Sequence, residues 1–258
     1  GLAFEEGMKQ QKEEIRAICS NTQAPDFKNT IEMLEYSGEL LNEVSAVFFN
    51  LCETNNSNEM NEIAEKISPV LSAHEDDIYM NEMLFNRIKT VYEHQEELHL
   101  DREQQRLLEE TYKRFVRGGV NLPEEKQDRF RAINEQLSVL TVKFGNNVLA
   151  ATNEYRMVID DSADLEGLPA SVVASAAETA NERPETEGKW VFTTHNPSLL
   201  PYLQYAVNRD RRKILWEAYA TRCQGGKYDN LELIRQIVAL RAERARLLGF
   251  ETHADYVL

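Results

Sequence analysis

The 258-residue chain is 42% hydrophobic and 28% charged, a balance that supports a buried core and excludes disorder as the main state. Its 44 acidic and 29 basic side chains leave a formal net charge of −15, which argues against nucleic-acid binding because phosphate neutralisation needs clustered Lys and Arg. No apolar run approaches the roughly 18 residues that a membrane span requires, so no membrane partner is expected.

Helical periodicity dominates, and 11 glycines and 7 prolines leave room for long elements. The acidic start, Gly1-Leu-Ala-Phe-Glu-Glu-Gly7, lacks the basic residues and apolar centre of a signal peptide. Ile31, Leu34, Leu41, Val44, Phe48 and Leu51 trace apolar stripes of two helices bent near Gly38. Asn58 to about Gln95 reads as one further helix and Asp101 to Arg117 as another, which Gly118-Gly119 ends. A long helix then starts at Pro123-Glu-Glu125, where proline and acidic groups suit a first turn, and carries Phe130, Ile133, Leu137, Leu140, Phe144 and Val148 on one face.

The period changes at Tyr155-Arg-Met-Val-Ile159, where alternation predicts a strand, and Lys189-Trp-Val-Phe-Thr-Thr194 is its partner. The strand direction is open, and Leu168 to Asn181 between them reads as a short helix. Beyond Pro197 and Pro201 the chain returns to helix, with Asp229-Asn-Leu-Glu232 as a capping box and Arg241, Arg244 and Arg246 near a helix end before Gly249. The expected fold is mainly α with one small two-stranded β element. Residues 1–258 read as a single helical region, which a boundary near Ala151 to Asp160 would subdivide into a helical bundle, 1–154, and the two-stranded element plus helices, 155–258.

Zinc peptidase chemistry needs two His one helical turn apart with Glu beside the first. His74-Glu75 begins that pattern, but Ile78 stands where the second His belongs. His94 and His99 are off a common helical face, and His195 and His253 have no His or Cys neighbour at ligand spacing. No metal ligand and no catalytic residue is therefore assigned, and the substrate-binding residues stay unknown. The acidic pairs Glu13-Glu14, Asp76-Asp77, Glu96-Glu97 and Asp160-Asp161 read as solvated faces, since nothing marks an environment that separates their pKa values. Gly225-Gly226 reads as a helix junction, not a phosphate cradle. Arg241 and Arg244 read as partners of carboxylates, with a substrate channel as the alternative. Arg209, Arg212 and Arg222, around Trp216 and Tyr219, read as packing and ion-pairing residues. Cys19, Cys52 and Cys223, odd in number and apolar-flanked, read as buried thiols of a reducing compartment, and a cytoplasmic location is expected. Asn55-Asn-Ser57 matches a glycosylation triplet without meaning there.

Several ordered blocks carry a resemblance. Asn208-Arg-Asp-Arg-Arg212, Trp216-Glu-Ala-Tyr-Ala-Thr-Arg222 and Leu240-Arg-Ala-Glu-Arg-Ala-Arg-Leu-Leu-Gly-Phe250 resemble the helical lead-in to the active site of thimet-oligopeptidase-like zinc metallopeptidases, most of all the bacterial peptidyl-dipeptidase Dcp branch. Ala3 to Met8, Asn29 to Glu35, Ser45 to Asn50, Ser68 to His74, Phe115 to Gly119 and Trp190 to Thr194 continue it in the same order. The resemblance implies the N-terminal helical wall of a deep channel that admits short peptides. It also implies a parent enzyme that uses zinc to activate water and releases C-terminal dipeptides. No residue matches the family's His-Glu-x-x-His motif. The expectation is a chain without the catalytic domain, inactive alone and without cofactor, whose parent holds zinc. The chain's end in apolar residues at Tyr256-Val-Leu258 is read as truncation that exposes an apolar face. The alternative is a stand-alone helical interaction module without peptidase activity.

Overall fold

The computed structural model describes residues 1–258. Two compact units form, one of residues 1–142 with 236–258 and the other of residues 143–235.

In the first unit, α1 (Leu2–Ser20) buries Phe4, Gly7, Ile15 and Ile18 on one stripe. Gly7 is placed where a Cβ would lie 2.9 Å from the Cα of Leu41, so α1 and α3 (Glu39–Thr54) meet nearly backbone to backbone. Between them a π-helical turn, Phe27–Glu32, runs into the single turn α2 (Met33–Glu35). Its start is fixed by a capping box, in which Asp26 accepts from the Asn29 amide and Asn29 accepts from that of Asp26. The expected bend near Gly38 is present, with that residue at φ +77 ahead of α3.

The single helix expected from Asn58 to Gln95 is instead two, α4 (Asn58–Tyr79) and α5 (Glu82–Glu93). The reason is local. Asn81 leaves helical geometry and its side chain accepts from the Leu84 amide at 3.0 Å, which opens a new helix without glycine or proline. Ser57, the last residue of the glycosylation triplet, caps α4 in the same way through the Met60 amide. Capped by Asp101, α6 (Arg102–Arg117) ends at Gly118-Gly119, where Gly119 takes φ +92, a left-handed turn a side chain would strain. Leu84, Ile88 and Leu108 are fully buried between α5 and α6, with Phe85, Tyr112 and Phe115 stacked beside them. Each such aliphatic side chain contributes about 1.5–3 kcal/mol. The long helix α7 (Glu124–Glu154) starts where Pro123 and the acidic pair predict, and it buries Phe130, Ile133 and Leu137.

The second unit holds the sheet. Antiparallel β1 (Met157–Ile159) and β2 (Trp190–Phe192) pair Met157 with Phe192, Val158 with Val191 and Ile159 with Trp190. This settles the direction that the sequence leaves open. Buried Met157 and Ile159 alternate with half-buried Val158, as strand periodicity requires. The inserted helix α8 (Ala170–Asn181) packs against β2. Phe192 and Tyr202 of α9 (Asn196–Tyr205) close the core with ring centroids 4.4 Å apart, joined by Leu215 of α10 (Arg209–Ala220). Burial, aided by the nearby Asp164, pushes the Tyr202 hydroxyl up to about 12. The last helices are α11 (Leu231–Leu247) and α12 (His253–Val257). Asp229 accepts from the Leu231 amide at 3.0 Å, a first-turn contact of the kind expected of it. The chain is mainly α with one two-stranded sheet, as its periodicities imply.

Candidate functional site

The first unit holds an open groove of about 690 Å³. Helix α4 supplies Glu75, Asp76 and Tyr79, α6 supplies Arg114 and Arg117, and α7 supplies Asn134. Arg241 and Arg244 of α11 and Tyr256 of α12 add to the polar lining, which also holds hydroxyls such as Ser72 and Thr141. Phe49, Leu71, Phe130 and Leu137 are among its apolar side chains. A second cavity of about 440 Å³ shares Glu75, Tyr79 and Arg114 with it and reaches His74.

Asp76 departs from the solvated face expected of its acidic pair. It is only 6% exposed and accepts from the Asn134 side-chain amide at 2.7 Å, while Asn134 accepts from Arg244 at 3.0 Å. Burial raises the Asp76 carboxyl to about 6, against the lowering influence of Asn134 and Arg131, with Glu75 and Asp77 pushing the same way as burial. Its neighbour Asp77 behaves as an exposed residue, pairing with Lys12 at 3.3 Å and Arg131 at 3.0 Å. Glu75 keeps water contact, yet the crowded groove around it also raises its carboxyl. The hydroxyl of Tyr79 is raised by burial, an effect Arg114 opposes.

Arg241 and Arg244 lack the carboxylate partners expected of them. Arg244 donates to an amide oxygen rather than a carboxylate, its Nε is buried without a partner, and it lies 5.3 Å from the Tyr256 ring. Arg241 makes no ion pair either, while on the same helix Glu243 takes a two-bond contact from Arg129 at 2.6 and 2.7 Å. In the second unit Arg212 donates to the carbonyls of Ala206 and Val207, and Arg222 donates to that of Tyr219 while covering its ring at 4.0 Å. The ion pairs in that region belong to Arg211 with Asp164, at 2.8 Å, and Lys213 with Glu217, at 3.7 Å. Trp216 is 55% exposed.

The histidines are dispersed. His74 is 3% exposed, with Nε2 bonded to Gln11 Oε1 at 2.7 Å and Nδ1 buried without a partner. Burial, with Lys12 nearby, holds His74 toward its neutral form. His94 bonds to the Thr90 carbonyl, and His195 lies between Thr193 and Asn153. His253 lies beside Tyr256, its pKa lowered by burial and by Arg241 and Arg244. No three His, Cys, Asp or Glu side chains converge as a metal site. The three cysteines are free and half-buried, and burial raises each thiol.

Sequence reasoning missed Arg114, Arg117 and the burial of Asp76. His74 carried a signal, since it falls on the apolar stripe of Ala64, Ile67 and Ile78.

The first unit is thus a helical body with an arginine-lined groove, and comparison with known proteins places the chain among relatives. Residues 202–258 match the model of Peptidase family M3. Over 98% of its length the chain is 37% identical to dipeptidyl carboxypeptidase of Escherichia coli strain K12, and 35% identical to that of Salmonella typhimurium. It is also 32% identical, over 93% of its length, to organellar oligopeptidase A of Arabidopsis thaliana. The chain is thus related to the peptidases of family M3, as the ordered blocks imply. It spans 37%, 37% and 32% of the length of these three relatives.

Proposed function

We propose that the chain is the non-catalytic channel-wall region of a larger zinc metallopeptidase, which cleaves short peptides and releases dipeptides from their C-terminal ends. One observation carries this: 98% of the chain aligns with 37% of a dipeptidyl carboxypeptidase. In this reading residues 1–258 form one helical region, and the catalytic domain and its zinc ligands lie outside it. The donor set present does not fit zinc. His74 faces Gln11 instead of a second imidazole, and Ile78 occupies the position one turn on. No cleavage step is therefore assigned to these residues, and the chain alone is inactive. Its part is to limit substrate size and contact the peptide, work for which the open groove of α4, α6, α7 and α11 is suited. Short peptides and the catalytic domain are its partners, and nucleic acid is not. A cytoplasmic location is supported by the three unpaired cysteines and by a relative named probable cytosolic oligopeptidase A.

The test is hydrolysis of a blocked short peptide by this chain and by the protein extended along its natural reading frame, with zinc and with a chelator. Activity confined to the extended protein and abolished by the chelator is expected. Absence of activity in both would leave the helical interaction module as the reading.

A further inference from the structure

In a chain with many more carboxylates than cations, the gathering of unpaired guanidinium groups in one place needs a reason. Fourteen ion pairs form in the structure and engage six of the 18 arginines, and Arg114, Arg117, Arg241 and Arg244 are four of the twelve that take no part. These four line one groove together with only two acids, Glu75 and Asp76, the reverse of the chain's overall ratio. The groove acids do not neutralise them. Asp76 is answered by Asn134 and Arg131, and no arginine lowers Glu75. The Arg244 guanidinium makes one hydrogen bond, to Asn134, and its buried Nε–H, like those of Arg87, Arg156 and Arg222, has no acceptor.

We infer that this groove is a binding site for the carboxylates of short acidic peptides, held by Arg117, Arg241 and Arg244 across the gap between α6 and α11. The inference rests on the peptide reading above and gives it a place and a charge preference. Planar guanidinium forks match carboxylates in two-bond geometry, and they do so best where water is partly excluded. Phe49, Leu71, Phe130 and Leu137 in the same lining supply apolar surface for the side chains of the same peptide. The volume, about 690 Å³, falls in the range of about 300–1,000 Å³ typical of small-ligand sites. The carboxylate has two sources, an Asp or Glu side chain and the free C-terminus, and the two need separate probes.

The experiment is calorimetric titration of the chain at low ionic strength with five probes. These are an Asp- and Glu-containing pentapeptide with a free C-terminus, its C-terminal amide, a neutral Gln-containing peptide with a free C-terminus, the amide of that neutral peptide, and inorganic phosphate. Binding of the acidic peptide that weakens at least tenfold from 20 to 200 mM salt is expected, with R117Q/R241Q weakening it about tenfold while helicity and Tm stay unchanged. Loss of binding in the amide assigns the site to the terminal carboxylate, whereas its retention, with loss in the neutral peptide, assigns it to side chains. Equal binding of acidic and neutral amidated peptides, binding of phosphate alone, no binding at all, or an unaffected double variant would each overturn the inference. Because no hydrolysis is read, the two readings fail separately. Charge-dependent binding without peptidase activity in the extended protein sinks only the peptidase reading, and activity with charge-blind binding sinks only this one.

Discussion

Two places in the first unit use arginine in opposite ways. Arg87 on α5 is 8% exposed and donates to the carbonyls of Asn21 and Gln23, the side-chain oxygen of Asn29 and the hydroxyl of Thr30, at 2.8 to 3.3 Å. It ties the segment after α1 and the π-helical turn to the core, with neutral oxygens taking the place of a counter-ion. The groove arginines sit at a concave surface where one donates to an amide and none meets a carboxylate. Both Arg87 and Arg244 leave a buried Nε without a partner, so the difference lies in the terminal nitrogens, which make four bonds at Arg87 and one at Arg244. Partner count separates the two roles where composition cannot.

Substitutions that separate the two regions give effects of decreasing size. R87M leaves four oxygens without their donor, and it is expected to cost about 3 kcal/mol of unfolding free energy, read from denaturant midpoints. The Asp76 carboxyl has a native pKa of about 6 against an ordinary value of 3.8, so the native state keeps a proton that the unfolded chain has released between those values. Stability therefore falls as pH rises through that window, and the ionised Asp76 is a net cost above it. D76N keeps an oxygen for Asn134 and removes the cost. It is expected to stabilise the chain by about 2 kcal/mol at pH 7, with the gain vanishing near pH 4. A gain equal at both pH values would refute the burial argument. N134A removes the amide between Asp76 and Arg244, costing about 1 kcal/mol, and should move the Asp76 titration seen by NMR upward. R117Q/R241Q, with no ion pair to lose, is expected to change stability by less than about 0.5 kcal/mol in the same denaturant series. A large loss there would dissolve the contrast with Arg87.

Much of the fold was legible because its signals are local. The start of α7 follows from Pro123 and two glutamates, the end of α6 from two glycines, and the sheet from a change of period at Tyr155. The break between α4 and α5 was not, because Met80-Asn81 carries no breaker and Asn81 acts only through its side-chain cap. The groove was less legible still. Asp76 and Asp77 are adjacent acids in sequence, and only the packed structure buries one under Asn134 of α7 and leaves the other exposed to pair with Arg131. Arg114 and Arg117 occupy an ordinary helix end, and they gain meaning from α11, which is far away in the chain.

The small sheet has a consequence for the order in which the second unit assembles. Three residue pairs join strands separated by residues 160–189, too little pairing to offset by itself the entropy of closing so long a loop. Helix α8 rests on β2, so that pair can form with local contacts first and offer β1 a surface already in place. Strand β1 is then the last piece to arrive and the first to open. In native-state hydrogen exchange its amides should lose protection before those of α8, while refolding rates should respond to substitutions at Ala176 more than at Val158.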